Sequence, residues 1–289
     1  MHTREELRRA CRSMLFVPGV RPDRFAHAMH SGADAVVFDL EDSVEAGRKD
    51  EARRAVAAFL GSAPGDGAVR LVRVNSAGRG WWPEDLAWIG TLPSCDGVVL
   101  PKAESAKQVE ELSRAAGGRP VFPLLETARG VLAAAAVAGA SATIPAICFG
   151  AEDLTAEIGV PRTTDGEELL LARSLVVLAA TTIGAEAVDA VFIEIKDLDR
   201  LRTDAMRARA LGFRGKMAIH PDQIAVINDV FSPSPAEIER ARRLVEAFDT
   251  AAAGGDGVIR LGDRMVDAPV VARARRLLAR ASQLRKQAS

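Results

Sequence analysis

The sequence has no surplus of charge, few cysteines and no long apolar run, and each shortage removes a class of function. Lysine and arginine number 38 against 39 aspartates and glutamates, a formal net charge of −1. That balance gives no reason to expect nucleic acid or an acidic membrane as a partner. Three cysteines, Cys11, Cys95 and Cys148, form neither a CxxC pair nor a zinc-binding spacing. They read as buried, reduced thiols of a cytoplasmic protein. No run of about 18 apolar residues occurs, so no membrane span is expected. The segment MHTREELRRACRS is charged and lacks an apolar centre, unlike a secretory signal. GxGxxG, Walker A and GxSxG motifs are all missing, which leaves nucleotide-hydrolase and serine-hydrolase readings without support.

What is present is alternation. Eight short, near-continuously apolar runs lie at 13–19, 35–42, 69–75, 97–102, 120–126, 144–153, 190–196 and 215–221. Strands buried on both faces read this way. Between them the pattern predicts helices at 45–60, 105–116, 128–139, 166–184 and 198–211. Strands alternating with helices point to an α/β fold, a (βα)8 TIM barrel over residues 1–232, with an open doubly wound sheet as the alternative. After that the pattern changes. Pro233 and Pro235 break the chain before a helix at 235–249, AAAGGDG (251–257) reads as a turn or flexible segment, 258–269 as a hairpin and 270–285 as a basic helix. Residues 233–289 are too few for a core of their own and read as a C-terminal helical and hairpin extension.

Each expected strand hands over to polar residues at its C-terminal end: Asp39, Glu41 and Asp42; Arg73 and Asn75; Lys102; Glu126; Glu152 and Asp153; Glu194 and Lys196; His220. In a barrel these ends converge on one mouth, where barrel enzymes keep their chemistry. Unpaired charges there would cost several kcal/mol, so they need partners or a metal. Two readings stand for Glu126 and Asp153. They share a hard cation, for which two carboxylates plus water and substrate oxygens suit Mg²⁺ better than Ca²⁺, or they pair with Arg129, Arg73 or Lys102. Arg73, with apolar neighbours in its strand, either receives a substrate carboxylate or partners Glu41 or Glu126. Glu41 and Asp42 are candidates to orient metal-bound water, with a turn or helix cap as the alternative for Asp42. His220 reads as a packed, hydrogen-bonded histidine rather than a catalytic base.

Taken together, RSMLFVPG, FDLEDSV, RVN, VLPKAES, PLLETARGV, FGAEDLTAEIG, KMAIHPDQIAVIN and MVDAPVV, in that order over residues 12–280, resemble the citrate lyase beta-subunit-like family of the HpcH/HpaI aldolase and citrate lyase group. The resemblance implies a Mg²⁺-dependent carbon–carbon lyase on a (βα)8 barrel. Its substrate would be a citryl-, malyl- or citramalyl-CoA thioester, split into an acyl-CoA and a 2-oxo acid. Thioester hydrolysis, or work on a carrier-protein thioester as the beta subunit of a larger lyase, is the alternative. The resemblance implies Glu126 and Asp153 as metal ligands, and Arg73 and Glu126 facing the substrate. It places Glu41, Asp42 and Lys102 behind them. It also makes Asp267 of MVDAP the acid/base, delivered into a neighbouring subunit of a homotrimer or hexamer. From the residues alone, Asp267 reads only as a hairpin-turn residue. Ala268-Pro269-Val270 departs from the family pattern, which often carries a histidine after the proline, and this bears on acyl or CoA specificity.

Overall fold

In the computed structural model, whose described residues are 4–9, 11–62, 67–253 and 257–287, eight parallel strands close on themselves. They are β1 (Ser13–Pro18), β2 (Ala35–Asp39), β3 (Val69–Arg73), β4 (Gly97–Leu100), β5 (Val121–Leu125), β6 (Ala146–Phe149), β7 (Glu186–Asp189) and β8 (Gly215–Ala218). Each pairs with its sequence neighbours, and β8 closes on β1 with Met14 opposite Met217. The (βα)8 barrel is therefore the fold, and the open sheet is not.

Alternation along the strands divides the core in two. Met14, Val37, Leu71, Val99, Phe122, Leu124, Cys148 and Met217 fill the barrel interior. Their strand neighbours Leu15, Val36, Phe38, Val72, Val98 and Ile147 point outward and pack with Val56, Leu112, Val176, Leu201 and Ile227 of the surrounding helices. Both faces are apolar, which is why the strands read as continuous runs. At the N-terminal end of the strands the helix Arg4–Arg9 adds Leu7 to the interior cluster. Arg4 anchors that helix by donating to the carbonyls of Ile144 (2.8 Å) and Ile183 (2.7 Å). All three cysteines are free and buried, as expected.

The seventh strand corrects the sequence reading. It lies at Glu186–Asp189, and 190–196 is a loop, with Ile193 and Ile195 exposed. AVFIEIK is richer in β-branched and aromatic residues than EAVD, so propensity favoured the wrong segment. Tertiary pairing decides otherwise. Asp189 faces outward, where Arg173 of the helix Leu170–Thr182 grips it with two bonds (3.0 and 2.7 Å) and Lys216 donates from β8 (2.7 Å). Asp204 of the helix Leu198–Leu211 completes the cluster, 2.5 Å from Lys216. Smaller differences follow local geometry. The helix expected at 128–139 is two, Ala128–Leu132 and Ala134–Gly139, parted at Ala133.

The chain divides into two compact units, Met1–Phe231 and Ser232–Ser289. The second consists of the helix Pro235–Ala253, the antiparallel pair β9 (Ile259–Leu261) and β10 (Arg264–Val266), and the helix Ala268–Gln287. Gly262, at φ +62°, supplies the left-handed residue of the tight turn between β9 and β10. Its two helices pack together, with Arg275 bonded to Asp249 at 2.5 Å. Of the expected turn at 251–257, residues 251–253 prolong a helix and 254–256 lie outside the described residues. No helix among the described residues is long and apolar enough to cross a membrane.

The cluster around Asp189 is balanced, two cations against two carboxylates, all well buried. Removing one member strands a buried charge, so Lys216→Met is expected to cost about 3 kcal/mol of stability. Urea unfolding of the variant checks this, and a loss within error would show that the cluster does not support the barrel.

Candidate active site at the barrel mouth

The same alternation that fills the interior delivers the polar residues. Asp39 follows Ala35 and Val37 on the inward face of β2, Arg73 follows Leu71 on β3, and Glu126 follows Phe122 and Leu124 just beyond β5. On β6 the corresponding position after Ala146 and Cys148 is Gly150. A Cβ there would stand 2.5 Å from the Glu126 Cβ and 2.6 Å from its Oε2. Gly150 thus leaves the space that Glu126 occupies. These ends surround a cavity of about 470 Å³, lined among others by Phe16, Asp39, Arg73, Glu126, Asp153 and Met217.

Arg73 is held in a fixed pose. Asp39 accepts from its Nε (2.6 Å) and Nη2 (2.8 Å), and its guanidinium lies 4.9 Å from the Phe16 ring centre. Asp39 also accepts from the amides of Glu41 and Ser43 and from the Ser43 hydroxyl. Burial alone would raise the Asp39 carboxyl, but Arg73 and these donors hold it below its usual range. What remains of Arg73 is Nη1, aimed into the mouth and 3.0 Å from Glu41 Oε2. That Oε2 is buried and accepts no hydrogen bond.

Lys102 ties three strand ends together. Its amide donates to Glu126 Oε1 (2.9 Å), and its ammonium lies 2.9 Å from Glu41 Oε1, 3.2 Å from Asp153 and 3.7 Å from Asp42. Lys49 fixes the loop that carries Glu41, donating to the carbonyls of Leu40 and Glu41, both at 2.7 Å. The positive charge does not suffice. Burial, with Glu41 alongside, pushes the Glu126 carboxyl up to about 8 against the pull of Arg73 and Lys102. Burial likewise raises Glu41. Asp39, Glu41, Asp42, Glu126 and Asp153 outnumber Arg73, Lys102 and Arg24 at the mouth, and Lys49 spends its donors on carbonyls. Surplus carboxylate beside a cavity suits an added cation. Among the described residues no three His, Cys, Asp or Glu converge as a complete metal cage. A cation held by Glu126 and Asp153 would therefore draw its other ligands from water and substrate.

The structure thus gathers Arg73, Glu126, Asp153, Glu41, Asp42 and Lys102 at one mouth. Others expected there fall elsewhere. Glu194, freed from a strand end by the shift of β7, is exposed and faces Arg200 at 3.4 Å; Lys196 is exposed in the same loop. Arg129 is exposed and meets Glu104, not Glu126 or Asp153. Glu152 does line the cavity, but its carboxylate is paired with Arg162 at 2.7 Å. Asn75 bonds buried Asp85 from its amide and side chain (2.7 and 2.8 Å), which fixes the loop after β3. His220 is not packed away: its ring is 40% exposed, and Nδ1 accepts from the Asp222 amide, capping the next helix. Asp267, in the second unit, caps the helix Ala268–Gln287 by accepting from Val270 (3.3 Å). The pairing of Asp39 with Arg73, the anchoring by Lys49 and the gap at Gly150 went unread in the sequence. Strand alternation was the signal for the first and last of these.

The model of the HpcH/HpaI aldolase/citrate lyase family matches residues 12–221, which include every residue of the mouth. The chain belongs to that family. It is 36% identical over 284 residues to the citrate lyase subunit beta of Escherichia coli, with 94% of each chain covered. To a (3S)-malyl-CoA thioesterase of Cereibacter sphaeroides it is 35% identical over 273 residues, covering 94% of this chain and 95% of that one. Among solved structures it is similar to protein CitE of Mycobacterium tuberculosis in complex with magnesium, acetoacetate and coenzyme A. There the TM-score is 0.83 at 37% identity, covering 95% of this chain and 99% of the other. The relatives thus include a lyase subunit and a CoA-thioester enzyme.

The surplus charge has a measurable sign. With its carboxyl raised to about 8, Glu126 keeps a proton in the folded protein that the unfolded chain releases near its ordinary value. The folded state then binds more protons between those limits, so stability falls as pH rises through that window. In chelator, Glu126→Gln should unfold at a higher temperature than the wild type at pH 8, by on the order of 1 kcal/mol. That gain should shrink toward pH 5. Thermal unfolding at both pH values checks it, and equal melting at pH 8 would mean that Glu126 is fully compensated.

Proposed function

We propose that this protein is a Mg²⁺-dependent carbon–carbon lyase. It splits, or forms, a 3-hydroxyacyl-CoA such as malyl-, citramalyl- or citryl-CoA, with acetyl-CoA and a 2-oxo acid as the other side of a reversible Claisen reaction. The observation that carries this reading is the under-compensated pair Glu126 and Glu41 beside Asp153, in a cavity into which Arg73 projects. Magnesium and coenzyme A named together in the similar M. tuberculosis structure support it.

In this reading Glu126 and Asp153 would hold Mg²⁺, with Glu41 and Asp42 placed behind them to orient what completes its coordination. The cation would supply Lewis-acid stabilisation of the substrate hydroxyl oxygen as it gives up its proton, ahead of carbon–carbon cleavage. Arg73, immobilised by Asp39, donates Nη1 to the carboxylate and oxygen of the oxo-acid half, where a preorganised donor is worth most. Asp267 returns a proton to the α-carbon of the thioester in cleavage and removes it in synthesis. It acts from a neighbouring subunit of a homotrimer or hexamer, on which residues 233–289 pack.

A second reading keeps the site and changes the outcome. Identity to a malyl-CoA thioesterase is nearly as high as to a lyase subunit, so hydrolysis to free CoA is the alternative. A role as the beta subunit of a larger citrate lyase, working on a carrier-protein thioester, follows from the E. coli relative.

The test is a product assay. Purified protein with Mg²⁺ receives malyl-, citramalyl- and citryl-CoA separately, with chelator controls, and products are followed by mass spectrometry. Chelator-sensitive release of acetyl-CoA with a 2-oxo acid is expected. Free CoA with intact hydroxy acid would replace lyase by thioesterase, and no product from any ester would point to the carrier-protein form. Asn caps a helix as well as Asp, so Asp267→Asn should fold and bind Mg²⁺ yet lose about 10²-fold or more in turnover. Undiminished turnover would remove Asp267 from the reaction.

A further inference from the structure

Lys102 is the one non-glycine residue among those described with a positive φ, +46°. For an L-residue with a long side chain that conformation costs about 1 kcal/mol or more and persists only where the surroundings impose it. The strained turn achieves two things at once. It aims the amide at Glu126 Oε1 (2.9 Å) and carries the ammonium between Glu41 Oε1 (2.9 Å) and Asp153 Oδ2 (3.2 Å). The two ends differ in kind. The amide bond to Glu126 survives any side-chain change. The ammonium holds two unequal partners: the Glu41 side chain is 7% exposed, whereas that of Asp153 is 38% exposed and able to exchange its partner with solvent.

We propose that Lys102 is a positioning residue that acts as the built-in counter-ion of the mouth. In the metal-free protein its ammonium holds Asp153 against Glu41. When a divalent cation arrives it yields Asp153 and keeps Glu41. The proposal rests on the reading of Glu126 and Asp153 as the ligands of that cation. It assigns Lys102 a cost as well as a benefit: the ammonium prevents the carboxylates from repelling one another, and it competes with the cation for one of them. A scaffold residue would lower cation affinity when removed; a competing counter-ion raises it.

The test is a calorimetric titration of Mg²⁺ into the full-length wild type, Lys102→Met, Lys102→Asn and Asp153→Asn. Lys102→Met removes the charge and keeps the strain. Lys102→Asn removes the charge and adopts the left-handed backbone readily, so it preserves the amide bond to Glu126 should the first variant fail to fold. Both are expected to bind Mg²⁺ about tenfold more tightly than the wild type. Metal-free Lys102→Met should melt below the wild type, and Asp153→Asn should bind no Mg²⁺. Unchanged or weaker affinity in the foldable Lys102 variants, with the wild type binding normally, overturns the counter-ion role and leaves the metal site standing. A wild type that binds no Mg²⁺ overturns both, and Lys102 is then the permanent partner of an ion-pair network.

Discussion

Two buried carboxylates with too little positive charge between them set the terms for this structure. Glu126 and Glu41 lie 4% and 5% exposed, side by side at the barrel mouth. A carboxylate in that position costs several kcal/mol unless it is paired or protonated. The nearby cations are already committed. Arg73 gives its fork to Asp39, and Lys49 gives its donors to two carbonyls. Arg73 has only Nη1 left for Glu41, at 3.0 Å, and Lys102 is shared among Glu41, Asp153 and, through its amide, Glu126. The deficit is a product of this arrangement, because Arg73 and Lys102 are each divided among several carboxylates and Lys49 serves carbonyls.

The cluster behind β7 and β8 shows what a finished ionic network looks like in the same barrel. Arg173, Lys216, Asp189 and Asp204 balance one another. They face outward between wall and helices, where Asp204 lines a small cavity of about 110 Å³. The mouth has the same residue types with the balance broken, facing a cavity of about 470 Å³. Charge balance and access, rather than burial, separate the cluster that braces the fold from the one that is open to a ligand.

The difference between the two was only partly legible in the sequence. Strand ends converge in any barrel, so Arg73, Lys102, Glu126 and Asp153 could be gathered from position alone. β7 could not be placed from propensity, because Asp189 is a charge inside a strand whose partners, Arg173 and Lys216, are 16 and 27 residues away in sequence. The strain at Lys102 leaves no mark in composition, since lysine is not a residue that turns favour. Gly150 was readable as a turn but not as the absent side chain that makes room for Glu126. Asp267 shows the opposite limit. From the residues it reads as a hairpin-turn residue, the structure makes it a helix cap, and any role in catalysis comes from resemblance.

The lining of the cavity bears on the choice between carbon–carbon cleavage and hydrolysis. On the side of β8, β1 and the loop after β7 it is walled by Met217, Ile219, Phe16 and Val191. Arg24, after β1, is the charged residue on that side; the other charged groups belong to the opposite side, from β2 to β6. A thioester carbon that has just lost its bond to the oxo-acid half carries negative charge and must meet one proton donor, not bulk water. Hydrolysis needs the reverse, a water held against the thioester carbonyl by a polar group. On the mostly apolar side Arg24 is the side chain that can bond a water or a substrate oxygen, facing Arg73 from across the cavity. The lining thus separates a charged half, suited to the carboxylate-bearing end of a substrate, from a mostly apolar half in which Arg24 is the polar side chain, and Arg24 is where carbon–carbon cleavage and hydrolysis would make different demands.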